Sequence, residues 1–247
     1  MNCIVPSLNL KVVAKGLQAL SKIGDELFIE AKRDKLTLVT LNLRKTVCAR
    51  LHLFDSFFSS YEVDEDEQNE TVTCKIHMKV LLPLLKGTHL EKKFDFIKLE
   101  YENYSDILIF KMKYKCDDII MTHKLKLMDS ESIAIQFSAD SGRNNILATS
   151  SLFTQLLNTF NNTDDEMTLE IAKDKIIARN YITGAPVRPK FVRSQVNSET
   201  NINFSLKPIR TAIHFAEGFN LNIGFNFENG GRPLVVIMKN PHLKHIS

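Results

Sequence analysis

The chain repeats itself, and a self-similarity of this length constrains the fold more than any single motif. A shift of 140 residues places Val12, Val13, Leu17 and Leu20 on Leu152, Phe153, Leu157 and Phe160. Without a gap it carries Leu27, Ile29 and Glu30 onto Met167, Leu169 and Glu170, and the turn Asp34-Lys35 onto Asp174-Lys175. Further on, a shift of 126 to 128 places Lys79 on Lys207, and Ile97, Leu99, Tyr101 and Glu102 on Ile223, Phe225, Phe227 and Glu228. The 247 residues therefore divide into two similar halves, each of a size that can bury its own core.

The apolar pattern gives each half its grammar. Leu10, Val13, Leu17 and Leu20 recur at spacings of three and four, which predicts an amphipathic helix over residues 8–22. The period then falls to two through Leu27, Ile29 and Ala31, then Leu36, Leu38 and Thr40, then Val47, Ala49, Leu51 and Leu53, the pattern of a three-strand antiparallel meander. Val72–His77 resumes the alternation. Met78–Lys86 reads as a second helix that Pro83 limits or kinks. Strands are expected at 94–101, 107–113 and 118–125, and the first half at 1–125. Residues 126–143 show neither period and read as a connector, with Leu127, Met128, Ile133, Ile135 and Phe137 as its apolar residues. The second half, 144–247, opens on a strand and a helix at 150–161. The expected class is α+β, two β-α-β-β-β-α-β-β(-β) units.

Charge is informative by position. The total of +3 comes from 32 basic and 29 acidic residues, too even for binding nucleic acid by net charge. Yet the predicted helices concentrate cations: Lys11, Lys15 and Lys22 on the first, Lys79 and Lys86 on the second, Lys207 and Arg210 with His214 on the fourth. The third offers Thr154, Gln155, Asn158 and Asn161 instead. Glu217 is the one acid on these four helices, which leaves 25 basic and 28 acidic residues elsewhere. A solvated helix normally mixes signs in i,i+4 pairs. A surface cleared of carboxylates suits phosphates, which give affinity without reading bases.

Other chemistries find little support. Asp64-Glu65-Asp66-Glu67 is contiguous in a polar break, whereas metal-dependent nucleases need carboxylates converging from separate elements. Asp117-Asp118 and Asp164-Asp165-Glu166 read as solvated in the same way. His242 and His245 have no further ligands in range, so no metal, cofactor or catalytic residue is expected. Gly230-Gly231 reads as a hairpin turn. Cys3, Cys48, Cys74 and Cys116 form no C-x-x-C pair and read as reduced thiols, Cys48 and Cys74 as small buried hydrophobes. The N-terminus lacks signal-peptide character and no apolar run reaches membrane-span length.

Three stretches carry a resemblance: Ile23-Gly24-Asp25-Glu26-Leu27-Phe28-Ile29-Glu30; Thr122-His123-Lys124-Leu125 running to Ser130-Glu131-Ser132; and Phe215-Ala216-Glu217 through Asn220-Leu221-Asn222 to Gly231-Arg232-Pro233. The chain resembles the Rad-nine family, whose members form the nine-one-one checkpoint clamp with Rad-one and Hus-one. The resemblance implies the sliding-clamp fold of proliferating cell nuclear antigen, with helices lining the inner face and antiparallel sheets outside. It implies a nuclear, heterotrimeric ring around double-stranded DNA, bound without sequence preference, with Lys11, Lys15, Lys22, Lys79, Lys86, Lys207 and Arg210 toward the phosphates. It implies that subunits join by edge strands, here Ile119, Ile120 and Met121 in the first half and Phe191, Val192 and Arg193 in the second. A clamp loader, checkpoint activators and repair enzymes would be clients, docking beside the connector. Family members are also credited with 3′ to 5′ exonuclease activity, for which these residues supply no carboxylate constellation. The chain stops eight residues after the strand at 234–239, so the second half is expected to be one strand short. It also lacks the family's phosphorylated Ser/Thr-rich tail, which leaves a non-signalling form that still binds clamp partners as an alternative.

Overall fold

A computed structural model describes residues 1–63, 71–129, 144–161, 164–172, 175–179 and 193–239. These fall into two compact units, the first ending at Asp129 and the second starting at Asn144.

Unit 1 begins with β1 (Asn2–Pro6), a 3-10 turn at Ser7–Asn9 and α1 (Leu10–Leu20). Leu10, Val13, Leu17 and Leu20 are buried while Lys11 and Lys15 are exposed, so the apolar stripe sets which way the helix faces. The meander follows as β2 (Glu26–Lys32), β3 (Lys35–Leu41) and β4 (Cys48–Phe54). Gly24 closes the turn into β2. A Cβ there would overlap the Leu41 carbonyl oxygen and Thr40 Oγ1, so the close approach of β3 requires glycine. Then come β5 (Ser60–Glu62) and β6 (Val72–His77). α2 (Met78–Leu81) gives way to a 3-10 turn at Leu82–Leu85, the expected effect of Pro83. The unit ends with α3 (Leu90–Lys93), β7 (Phe94–Glu100), β8 (Ile107–Tyr114) and β9 (Ile120–Lys126). All pairing is antiparallel, in one sheet of order β5-β1-β7-β8-β9 and another of order β4-β3-β2-β6.

Unit 2 runs β10 (Asn144–Thr149), α4 (Ser150–Leu157), β11 (Glu166–Ala172), β12 (Lys175–Arg179), β13 (Arg193–Gln195), β14 (Thr200–Ser205), α5 (Leu206–Gly218), β15 (Asn222–Phe227) and β16 (Val235–Lys239). Its sheets have the orders β13-β10-β15-β16 and β12-β11-β14. β10 pairs with β13 and β15 as β1 pairs with β5 and β7, and β11 pairs with β12 and β14 as β2 pairs with β3 and β6. The core collects Ile146, Phe153, Phe160, Leu206, Ile209, Phe225 and Phe227.

The molecule is thus mixed α+β, with several antiparallel sheets and few helices. The element order expected for the first half gains two short pieces, β5 and α3. Cys74 is buried, but Cys48 is exposed at the start of β4, against the expectation that it is a small buried hydrophobe. β4 is a sheet edge, and its alternation does not carry the first residue into the core.

Candidate DNA-facing and subunit-joining surfaces

The helix lysines are placed by the apolar residues beneath them. Lys11 and Lys15 lie on α1, Lys22 in the turn after it, Lys79 on α2 and Lys86 at the end of the following 3-10 turn, and all are exposed. α1 packs against Leu82–Leu85 and α3, so the unit 1 cations belong to one helical layer. In unit 2, Lys207 is exposed on α5, whereas Arg210 is half-buried and its Nη2 donates to the Asn161 carbonyl at 3.0 Å. That bond ties α5 to the turn after α4, on a carbonyl that also accepts the Asp164 N–H at 3.1 Å. Part of the Arg210 fork is therefore structural.

Several strand cations are paired with carboxylates. Lys75 meets Glu26 at 2.9 Å, Lys98 and Lys111 share Glu100 at 2.6 and 2.7 Å, and Arg179 meets Glu170 at 2.8 Å. Hydrogen bonds from Lys111 and Lys98 hold the Glu100 carboxyl below the usual carboxylate range. By contrast, Lys15, Lys22, Lys79, Lys86 and Lys207 make no ion pair among the described residues.

The helical layer is not cleared of acid. α3, which the apolar pattern does not reveal, adds Glu91, together with exposed Lys92 and Lys93. The Glu91 carboxyl is lowered first by its backbone N–H, then by His89, with a contribution from the Lys11 charge. Lys93 also lies over the rings of Phe94 and Tyr114, at 5.1 and 5.3 Å from their centroids.

Among the described residues β9 is the outer strand of its sheet and pairs only with β8. Ile120 and Met121 are on it and exposed, and Ile119, just before its first residue, is also exposed. An outer strand with an open backbone edge and exposed apolar side chains is a template for another chain. In unit 2 the outer strand β13 includes Arg193, while Phe191 and Val192 lie outside the described residues.

Of the connector residues, Leu127 and Met128 are tied down. The Leu127 N–H donates to the Asp106 carbonyl and the Met128 N–H to the Lys75 carbonyl, both at 2.8 Å. Ile133, Ile135 and Phe137 lie outside the described residues, as do the acidic run 64–67 and His242 and His245. Asp164 is buried, and its Oδ2 accepts from the Asn161 N–H at 2.8 Å, a turn cap where solvation was expected. Among the described residues no three His, Cys, Asp or Glu gather to hold a metal ion, and no helix is long and apolar enough to cross a membrane.

Residues 13–247 match the sequence profile of the Rad9 family. The chain is 28% identical over 243 residues to the cell cycle checkpoint control protein Rad9 of Drosophila melanogaster, covering 94% of this chain and 52% of that protein. It is 22% identical over 255 residues to the cell cycle checkpoint protein hpr-9 of Caenorhabditis elegans, covering 92% and 48%. To the DNA repair protein rad9 of Schizosaccharomyces pombe it is 19% identical over 285 residues, covering 96% and 66%. The chain spans about half the length of the fly and worm relatives.

Proposed function

Because the chain belongs to the Rad9 family, we propose that it acts in the DNA-damage checkpoint as one subunit of a nuclear clamp of three unlike chains. The other two are its Rad-one and Hus-one counterparts. In this reading each unit is one copy of a clamp repeat, 1–125 and 144–247 joined by the connector 126–143. Its helices face the phosphates of encircled double-stranded DNA, and its outer strands β9 and β13 extend sheets into neighbouring subunits. The chain is a scaffold without chemistry of its own, and a clamp loader, checkpoint activators and repair enzymes are its clients.

The observation that carries the reading is a set of exposed cations on or beside the helices, Lys15, Lys22, Lys79, Lys86 and Lys207, that make no ion pair among the described residues, whereas Lys75, Lys98, Lys111 and Arg179 on the strands are matched to carboxylates. Pairing a surface lysine is worth little to stability, about 0–1 kcal/mol, so leaving several unmatched costs the fold little and keeps them for an external anion. The shared pairing order of the two units supports the repeat. The exposed apolar residues of β9 support the joint.

The test mixes this chain with the two partner subunits and measures mass by sizing with light scattering. A three-chain complex is expected, and its absence removes the reading. Charge reversal at Lys15, Lys22 and Lys207 together should weaken retention on circular DNA and leave assembly intact. It should also flatten the salt dependence, by about 0.9 in the logarithmic slope for each phosphate no longer neutralised. Loss of assembly instead would make the face structural.

A further inference from the structure

Among the described residues β13 is an outer strand laddered on one side, where it meets β10 through Asn145 with Gln195, Ile146 with Ser194 and Leu147 with Arg193. A strand laddered on one side frays at its end unless something beyond the ladder fixes it.

That fixture is Asn144, the first residue of β10, whose side chain is fully buried. Its Oδ1 accepts from the backbone N–H groups of Asn197 at 2.9 Å and Ser198 at 3.2 Å. Its Nδ2 donates to the Glu228 carbonyl at 3.0 Å and to Ser198 Oγ at 3.4 Å. Both lone pairs and both protons are used, which is what burying an amide demands. The three tied places are the start of β10, the turn just after β13 and the residue just after β15. An amide accepts on one arm and donates on the other without carrying charge, so it can join two N–H groups to a carbonyl on the opposite side. An aspartate would set a carboxylate against the Glu228 carbonyl, and a leucine would leave two N–H groups buried without partners.

We infer that Asn144 is the positioning residue of the second joining edge: it clips the chain behind β13, so that this strand stays on β10 and presents its outer side to a partner strand. The inference rests on the subunit reading above and deepens it. Main-chain pairing at a sheet edge needs the host strand already extended and in register, because a strand ordered only on contact loses conformational entropy that the new hydrogen bonds must offset. Removing the clip therefore weakens one joint of the subunit and leaves the other, at β9, as it was.

The test uses the full chain with Asn144→Ala and Asn144→Asp and has two arms. In the first, peptide-resolved hydrogen exchange on the chain alone should show faster exchange at 193–198 and little change at β15 or in unit 1. In the second, affinity for each partner subunit is measured separately. One should fall at least about tenfold and the other stay within about twofold, while Ile120→Asp on β9 should give the converse. Unchanged exchange at 193–198 overturns the inference, and so does an equal loss of affinity for both partners. If Asn144→Ala unfolds unit 2, Asn144→Asp, which keeps the acceptor atoms, carries the test. Failure of the unaltered chain to bind either partner would sink the subunit reading and the docking half of the inference, while the exchange arm still decides whether Asn144 holds the strand.

Discussion

Both units fill their interiors chiefly with aliphatic side chains, but the second seals more of its aromatic rings at the centre. In the first, Leu10, Leu27, Ile29, Ile76, Ile97 and Leu108 are fully buried and Phe57, Phe94 and Phe110 keep 2–4% exposure, whereas in the second Phe153, Phe225 and Phe227 are buried as deeply as Ile146, Leu206 and Ile223. Phe153 and Phe225 pack with ring centroids 4.6 Å apart, and Phe204 meets Phe225 edge-on at 6.3 Å. Unit 1 also encloses a small cavity of about 30 Å³, bordered by Val5, Leu10, Val13, Leu27, Leu53 and Phe58 among others. By size it could admit a water, but its walls are apolar and give that water no partner, so it stays dry. The outer strands show the reverse preference. β5 is fastened by the packed rings of Phe57, Phe58 and Tyr61 and by the Tyr61 hydroxyl donating to the Lys32 carbonyl at 2.6 Å, while β13 is fastened by one amide. Similar strand pairing is thus stabilised by different interactions: a ring cluster holds the outer strand of the first unit, and a single buried amide ties down the chain behind the outer strand of the second.

The largest test of that contrast is Phe225→Ala. It removes the ring that both Phe153 and Phe204 meet and should cost about 3–5 kcal/mol. Thermal unfolding followed by hydrogen exchange should show unit 2 losing protection while unit 1 keeps it; joint loss would mean the two cores are not independent. Next comes alkali. Burial pushes the thiols of Cys3 and Cys74 up to about 12 from an ordinary 9.0. Between those values the unfolded chain has shed protons that the folded chain keeps, so stability is fully present below pH 9 and falls as pH rises toward 12. The slope is about 1.4 kcal/mol per pH unit for each thiol. Both cysteines are in unit 1 and unit 2 has none, so unit 1 should melt first in alkali, and Cys3→Ala with Cys74→Ala should flatten the slope. A thiol reagent at pH 8 should label exposed Cys48 and Cys116 and spare the buried pair. The smallest effect is Val5→Ile, which pushes a methyl toward the void and should raise the unit 1 unfolding temperature, with a gain of about 0.5–1 kcal/mol; a loss would mean the cavity wall cannot admit it.

Periodicity made the long elements legible. α1 shows three turns of stripe, β2 and β3 carry apolar residues at every second position although both of their faces are largely buried, and the sequence places these elements within a residue or two of their observed ends. Short elements have no period to read. β5 and β13 have three residues each, and α3 is one turn entered through His89, which adopts a left-handed φ of 61°. With α3 hidden, Glu91 is hidden too, and the helical surface reads as freer of acid than it is. The exposure of Cys48 was illegible because alternation reports which face a residue takes and not that its strand is the last of a sheet. The burial of Asp164 was hidden for a related reason: a carboxylate that caps its own turn looks, in sequence, like one facing water. Asn144 carries no signal at all, since its four partners lie 53 to 84 residues away.

The tie at Leu127 and Met128 has a mechanical meaning. β9 is an outer strand, and a pull on its end alone would peel it from β8 one hydrogen bond at a time, the weakest way to load a ladder. But the two N–H groups that follow it are fastened to different sheets: Asp106 lies just before β8 in one sheet and Lys75 lies on β6 in the other. Tension arriving from beyond Met128 therefore reaches both sheets of unit 1 before β9 feels it. The tie works as a strain relief, protecting the strand proposed to meet a neighbouring subunit.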